Sequence, residues 1–552
     1  IKVPENNTEF ESKDEIEKVG KAPMMNLRSG RVLRDLSEDQ DIGLSSAEML
    51  KCMIDLYEIA KNIQEESTVD GDEEPRNFQE AWNHPDPKKR ELWRAAIRKE
   101  FKDMIKRGVW RKTKRGCMPS NRRCVKSKWV FKIKRNGVYR ARLVACGYSQ
   151  IPGVDFSENY SPVVHDITFR LLILMQMIFC LESKIVDVET AFLYGELEEE
   201  IYMDPPPGLK NVEDDDVLLL KKCIYGLVQS ARQYHKKAVK ILKKIGFKGG
   251  DMDPCLYFKK NNKGMCFIAI YVDDNLLVGN CEAIKETIKD LKANELILKI
   301  EDDLKDYLSC EVKFSKDKKK AWLGQPHLIK NLEAKFGDRV QDMREYKTAG
   351  TPGFCILRTD DVSDNIGPEE QKLYRSGVGM LLYLVKHSRP DIANATRELS
   401  KVLDGASQAA YKELHRVIKF ALDTKNLGLK FEPTLFKSNE PWNLVGYSDS
   451  DYASDPDTRR SVSGFILYVR GVPISWRSKS QRTVTLSSSK AEWIAASEAV
   501  KEIMFVYQLV KSIGIKVSLP IVVRVDNVGA IFMSKNITTT GRTKHVDIRF
   551  KY

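Results

Sequence analysis

The sequence predicts a multidomain α+β protein, and three observations carry that expectation. The chain has 552 residues, more than one hydrophobic core usually serves. Runs that alternate apolar and polar residues are interleaved with runs whose apolar positions recur every three to four residues, so strands and helices are mixed along the chain. Acids also interrupt apolar, strand-like runs in two widely separated regions, around residues 187–274 and 449–547. That pattern suggests two sites on two domains.

Charge narrows the partner. Lys and Arg total 91 against 78 Asp and Glu, a formal net charge of +13, which favours a polyanion such as nucleic acid over an acidic small molecule. The eleven cysteines run from Cys52 to Cys355 with no CxxC pair. A reduced, intracellular setting fits them better than a disulfide framework, and zinc-site spacing is absent. The longest apolar run, "LLILMQMIFCL" at 171–181, is too short to span a bilayer and reads as a buried helix, so no membrane partner is expected. Neither a signal nor a transit peptide is visible. Starting at Ile1 and stopping five residues after Asp547, the chain reads as an excised piece of something longer.

Element by element, residues 1–76 read as a polar linker with one helix at "SSAEMLKCMIDLYEIAKNIQ", where Ser45 and Glu48 have capping-box spacing. From Asn77 to Trp110 one amphipathic helix is expected, with Trp93, Ile97, Phe101 and Ile105 on its apolar face. "KWVFKIKRNGVYRARLVACG" predicts a hairpin with a type I′ turn at Asn136–Gly137 and a cationic face of Lys132, Lys134, Arg140 and Arg142. A Lys-rich helical piece follows at "HLIKNLEAKFGDRV", then a helix-rich stretch to about residue 435. From Trp442 strands return in "NLVGYSDSDYA", "SVSGFILYVRGVPISWRS", "TVTLSSS" and "IVVRVDNVG".

The first acid group centres on "IAIYVDDNLLVGN", with Asp273 and Asp274 adjacent in an apolar run. Like charges sharing a buried site repel and resist desolvation unless something offsets them. A hard divalent cation such as Mg²⁺ does so with oxygen ligands, and Asp187 in "SKIVDVETAFLYGE" is the candidate third ligand. Carboxylates holding two ions roughly 3.5–4 Å apart are the requirement of two-metal phosphoryl transfer. An ordinary Asp-containing β-turn is the alternative for "VDD" taken alone. The second group comprises Asp449, Glu492, Asp526 and Asp547. An acid on a first strand, one at a helix start after three strands and one ending a fourth strand is the order of an RNase H fold. Taken singly, each acid also reads as a cap or turn residue.

Six ordered blocks now carry a resemblance: "YRARLVACGYSQIPGVDFSENYSPVV", "VDVETAFLYGELEEEIYMDPPPGL", "CIYGLVQSARQYHKK", "CLYF", "IYVDD" and "YRSGVGMLLYLVKHSRPDIANATRELSK". Together with "RRSVSGFILYVRGVPISWRSKSQRTVTLSSS" they resemble the reverse transcriptase and RNase H region of copia-type LTR retrotransposon polyproteins over roughly residues 77–552. The resemblance implies a right-hand polymerase followed by a connection and an RNase H-like α/β domain. It places fingers and palm at 77–315, a thumb-like helical segment at 316–352, the connection at 353–440 and a C-terminally incomplete RNase H domain at 441–552.

Carried onto this chain, the resemblance makes Asp187, Asp273 and Asp274 the metal-binding triad of the palm. Phe192 becomes the aromatic under the incoming sugar, Arg142 and Lys134 the triphosphate cations, and Gln229 a pocket residue near the primer terminus. Asp449, Glu492, Asp526 and Asp547 become the RNase H ligands. Each site would hold two Mg²⁺, with Mn²⁺ as a substitute. The implied partners are RNA template, DNA primer, RNA:DNA hybrid and dNTPs, with the upstream integrase of the same polyprotein as a further candidate. The implied setting is a cytoplasmic virus-like particle, with the nucleus as a second compartment. Cys146, Ser309, Cys310 and Lys490 depart from the family pattern. The rival expectation is a nucleic-acid-binding remnant whose catalysis has decayed; the losses at Cys146, Ser309 and Cys310 favour it, and the presence of all seven acids opposes it.

Overall fold

The computed structural model describes residues 74–134, 137–301, 304, 307–357, 363–434 and 440–535. The helix expected near Ser45 and the acid Asp547 lie outside the described residues. The chain divides into two compact units, one made of residues 62–172 and 180–307, the other chiefly of residues 308–552 with 173–179. Among the described residues, no helix is long and apolar enough to cross a membrane, and "LLILMQMIFCL" contributes to the helix Asp166–Ile178, which is buried along most of its length.

In the first unit, the helix expected from Asn77 to Trp110 is two. A short helix, Phe78–Trp82, stops before Pro85 and Pro87, and helix α1, Pro87–Lys106, starts afresh with Asp86 capping the amides of Lys88 and Lys89. Its apolar stripe also differs from a strict four-residue spacing. Trp93, Ile97 and Met104 are buried whereas Ile105 is 63% exposed, because four residues overshoot the 3.6-residue turn and the error accumulates. Trp93 packs edge-on against Phe131 and Tyr139, and Phe101 against Trp129. These rings fasten α1 to the hairpin of β1, Ser127–Ile133, and β2, Tyr139–Ala145.

Across that hairpin, Ile133 pairs with Tyr139, the Lys134 amide bonds the Val138 carbonyl, and Gly137 takes φ 76°; Asn136, the other residue of the expected type I′ turn, lies outside the described residues. Glycine adopts that region without steric cost, which explains its place in the loop.

The second half of this unit is a six-stranded antiparallel sheet. Its strands are β3, Glu182–Val188, then after helix α2, Ser230–Lys244, β4, Lys248–Gly249, β5, Leu256–Asn261, β6, Gly264–Tyr271, and β7, Asp274–Gly279, and finally, after helix α3, Cys281–Ala293, β8, Leu298–Glu301. The spatial order β8-β3-β7-β6-β5-β4 puts β3 and the β6–β7 hairpin side by side at the centre. A separate four-stranded sheet pairs Trp110–Lys114, Asp216–Lys222, Glu196–Met203 and Cys124–Val125.

In the second unit, β9, Glu311–Phe314, β10, Ala321–Gly324, and β11, Leu429–Phe431, form a three-stranded sheet. It joins strands from the segments expected to be palm, thumb and connection. Helices α4, Pro326–Val340, α5, Pro368–His387, α6, Ala393–Leu399, and α7, Gln408–Asp423, lie between the last two of these strands in sequence. Just before β9, Leu308 and Ser309 sit at φ 55° and 56°, a region costing an L-residue about 1–2 kcal/mol. Ser309 is one of the positions at which the sequence departs from the resembled family. A Ser309→Gly chain is expected to gain about 0.5–1 kcal/mol after the extra unfolded-state entropy of glycine is subtracted, read as a later midpoint in urea.

The last module has β12, Leu444–Asp451, β13, Val462–Val469, β14, Val472–Ser480, α8, Ser488–Ser512, β15, Val522–Arg524, and α9, Val528–Lys535. The order is β14-β13-β12-β15, with β15 parallel to β12 and the rest antiparallel. Helix α8 closes onto one face at Gly446, where a Cβ would come within 2.6 Å of Ile503 Cδ1. "TVTLSSS" is not a strand. It is a loop whose Thr485 is buried against the Ser461 hydroxyl, leading to Ser487, which caps α8 through the Lys490 amide. A tertiary hydrogen bond and a cap override the β-branched preference.

Candidate active sites

Asp187 lies next to the end of β3 and Asp274 opens β7, and the two are directly paired across the strands. Lys299 of β8 is the partner of Asp187 on its other side. Asp273 sits in the two-residue turn between β6 and β7, after Val272 at φ 51°. Its carbonyl accepts from the Val188 amide at 2.9 Å and from the Asn275 side chain at 3.2 Å, so the turn is tied to β3.

A cavity of about 150 Å³ opens beside these acids, and Lys134, Arg140, Arg142, Asp187, Asp273 and Lys299 all line it. Burial, then the charge of Asp273, pushes the Asp187 carboxyl up, against the pull of Lys134, Arg140 and Lys299. Burial and neighbouring Arg140 hold the Lys134 ammonium below its usual range. The hairpin thus brings cations to face carboxylates, which suits a ligand bearing several negative charges bound through metal. Lys132, expected on the same cationic face, is instead paired with Glu74 at 3.3 Å and does not line the cavity.

Other expected residues separate. Phe192, in the short helix Ala191–Tyr194, meets the Tyr225 ring edge-on at 5.0 Å. The Arg142 guanidinium lies over the same Tyr225 ring at 4.3 Å, so Tyr225 links the aromatic position to the cation. Gln229 is buried and committed elsewhere. It accepts from Gln150 at 3.1 Å and donates to the Asp155 carbonyl at 2.8 Å, outside the residues that line the cavity. Asp274 does not line it either, and the three palm carboxylates are not among the described acid sets whose oxygens all fall within 4.8 Å of one another.

Sequence reasoning missed Lys299, Tyr225 and Glu100. Glu100 of α1 lines the same cavity, is buried, and accepts from the Leu143 amide at 3.2 Å. Burial pushes its carboxyl up to about 7 despite that bond and the nearby Arg142. Because the folded value lies above the unfolded one, its contribution is fully present below about pH 4.5. It is lost as pH rises through about 7. A Glu100→Gln chain keeps an acceptor for Leu143. It should remove a stability loss of roughly 2–3 kcal/mol between pH 5 and 8, measured by urea unfolding of both chains at each pH.

The second site is tighter. Asp449 of β12, Glu492 of α8 and Asp526, two residues past β15, bring carboxylate oxygens within 4.8 Å of one another. Burial, then Asp449 and Asp526, pushes Glu492 up to about 7, while a 3.0 Å bond from the Ser450 amide pulls the other way. Glu492 Oε2 is buried without a hydrogen-bond partner among the described residues. An orphaned carboxylate oxygen crowded by two acids suits a divalent cation, which would satisfy it and cancel the repulsion. Asp449 and Asp526 border a cleft of about 670 Å³ that also includes Tyr447, Trp476, Arg477 and Arg524. The set Glu213, Asp215 and Asp216 is different in kind, since Lys114 lies within 3.0 Å of all three.

Asp187 and Asp274 on central strands of an antiparallel sheet, with Asp273 in the adjoining turn, thus lie beside a cationic hairpin. The sequence model of the family described as "Reverse transcriptase (RNA-dependent DNA polymerase)" matches residues 109–337, so the chain carries a reverse transcriptase domain. It is 32% identical to the Retrovirus-related Pol polyprotein from transposon TNT 1-94 of Nicotiana tabacum, over 88% of this chain and 36% of that protein. It is 30% identical to the corresponding protein from transposon RE1 of Arabidopsis thaliana, over 84% and 31%. The chain belongs with the Pol polyproteins of copia-type LTR retrotransposons. It spans about a third of the length of these two relatives. A foamy viral protease-reverse transcriptase solved in complex with dsDNA is 14% identical over 93% of this chain and 92% of that one. Its TM-score is 0.39, too low to carry an argument.

Proposed function

We propose that this chain copies RNA into DNA at the Asp187 site and hydrolyses the RNA of the resulting hybrid at the Asp449 site. The observation that carries the first half is the single cavity lined by Asp187, Asp273, Lys134, Arg140 and Arg142. Arg142 and Lys134 would neutralise the triphosphate of a dNTP, with Arg140 a third cation in reach. Phe192, one ring behind Arg142 through Tyr225, would sit under the sugar and exclude a 2′-hydroxyl. The basic balance of the chain would follow the template–primer backbone. The all-oxygen donor sets fit Mg²⁺, which would activate the attacking oxygen and stabilise the leaving group. Asp187 and Asp273, which line the cavity, would hold it in the palm with Asp274 closing in from the opposite strand as third ligand, and Asp449, Glu492 and Asp526 would hold it in the second site.

The test is extension of a DNA primer on an RNA template with dNTPs. Extension should require Mg²⁺, stop when the metal is chelated and resume when it is returned. Tight, salt-sensitive template binding with no extension in any metal would instead identify a binding remnant.

A further inference from the structure

Tyr225 stands between two residues whose proposed partners are different parts of one nucleotide. The Arg142 guanidinium lies over its ring at 4.3 Å, and Phe192 meets the same ring edge-on, with centroids 5.0 Å apart and planes at 68°. Arg142 and Tyr225 both line the cavity that holds Asp187 and Asp273, whereas Phe192 is not among the residues that line it. Whatever Phe192 does at the cavity therefore passes through the Tyr225 ring. The backbone beneath that ring is fixed. The Ala145 amide donates to the Tyr225 carbonyl at 2.8 Å, and Tyr225 bridges Val144 in parallel. At the next residue, a Cβ on Gly226 would come within 2.2 Å of the Ala145 carbonyl oxygen, so the Tyr-Gly pair is pressed against the end of β2, the strand that carries Arg142.

We propose that Tyr225 is a positioning residue that couples sugar selection at Phe192 to triphosphate binding at Arg142, an assignment that rests on the copying reading above. A guanidinium is planar and stacks on an aromatic face. An arginine already stacked has given up part of the rotamer freedom that it would otherwise lose on gripping a triphosphate, so Tyr225 prepares Arg142 for its ligand. Edge-to-face rings hold a preferred geometry, so displacing one displaces the other. A 2′-hydroxyl pressing on Phe192 would tilt the Tyr225 ring and unseat the guanidinium above it. A ribonucleotide would thus be penalised twice, by collision at the sugar and by a weaker hold on its phosphates.

The experiment uses the whole chain on a primed RNA template with Mg²⁺, and measures kcat and KM for a dNTP and for the matching rNTP. Tyr225→Leu removes the π face. It should raise the KM for the dNTP about 10-fold with kcat little changed, and leave kcat/KM for the rNTP near that of the parent, because the ribonucleotide already forgoes the hold of Arg142. The preference for the dNTP then falls by the same factor. Tyr225→Phe keeps the face and should recover most of that loss. Arg142→Lys keeps the charge but not the planar group, and should also lower the preference, which a cation acting on phosphate alone would not do. It serves as the second probe if Tyr225→Leu melts early. An equal fall for both nucleotides in Tyr225→Leu, or an unchanged preference in Arg142→Lys, would overturn the coupling. If the parent incorporates nothing, the copying reading fails, while equilibrium binding of the dNTP against the rNTP to the same chains still decides whether Tyr225 joins the two contacts.

Discussion

An Asp187→Asn chain is expected to incorporate dNTPs at least about 10³-fold more slowly than the parent, with no loss of thermal stability. The first half follows from position: Asp187 is the acid that both lines the cation-faced cavity and pairs across the sheet with Asp274. The second half follows from the direction of its titration. Burial and Asp273 push the Asp187 carboxyl up. The folded state therefore disfavours its charge at neutral pH, and a neutral isostere relieves repulsion. Single-nucleotide incorporation and melting curves on one preparation separate the two effects. Incorporation within a few-fold of the parent would remove Asp187 from the chemistry.

Glu492→Gln is expected to abolish cleavage of hybrid RNA, by about 10²–10³-fold or more, while primer extension continues. Glutamine retains an oxygen to accept from the Ser450 amide, which the parent bonds at 3.0 Å, so the helix start is preserved. What it loses is the charge that Asp449 and Asp526 crowd, the feature a cation would use. The two acid sites fall in different compact units, so one substitution should not carry to the other. Cleavage that survives in the variant would make the acid cluster structural.

Much of the palm was legible because its signals are local. Apolar alternation around Asp273 and Asp274 marks a hairpin, and charges that cannot be buried without compensation mark a site. The acids at 449, 492 and 526 were legible for the same reason, each lying near one end of an element whose type the pattern revealed. The missed residues are those whose role comes from register. Lys299 reaches Asp187 only because β8 pairs with β3, and an isolated lysine in "LILKIE" carries no signal of that neighbour. Glu100 reads as one more acid on a charged helix until the rings of α1 press it under β2.

The sequence by itself determined the kinds of element, the two groups of acids and the cationic hairpin, because periodicity and uncompensated charge are properties of neighbours along the chain. Only the tertiary structure decided which of those groups meet. It turned Asp273 rather than Asp274 toward the cavity, tied Lys132 to Glu74 and committed Gln229 to Gln150 and Asp155. It also set Tyr225 between Phe192 and Arg142. The physical reason is that strand register and ring packing are settled by contacts between segments distant in the chain, and a shift of one residue would turn every side chain to the other face.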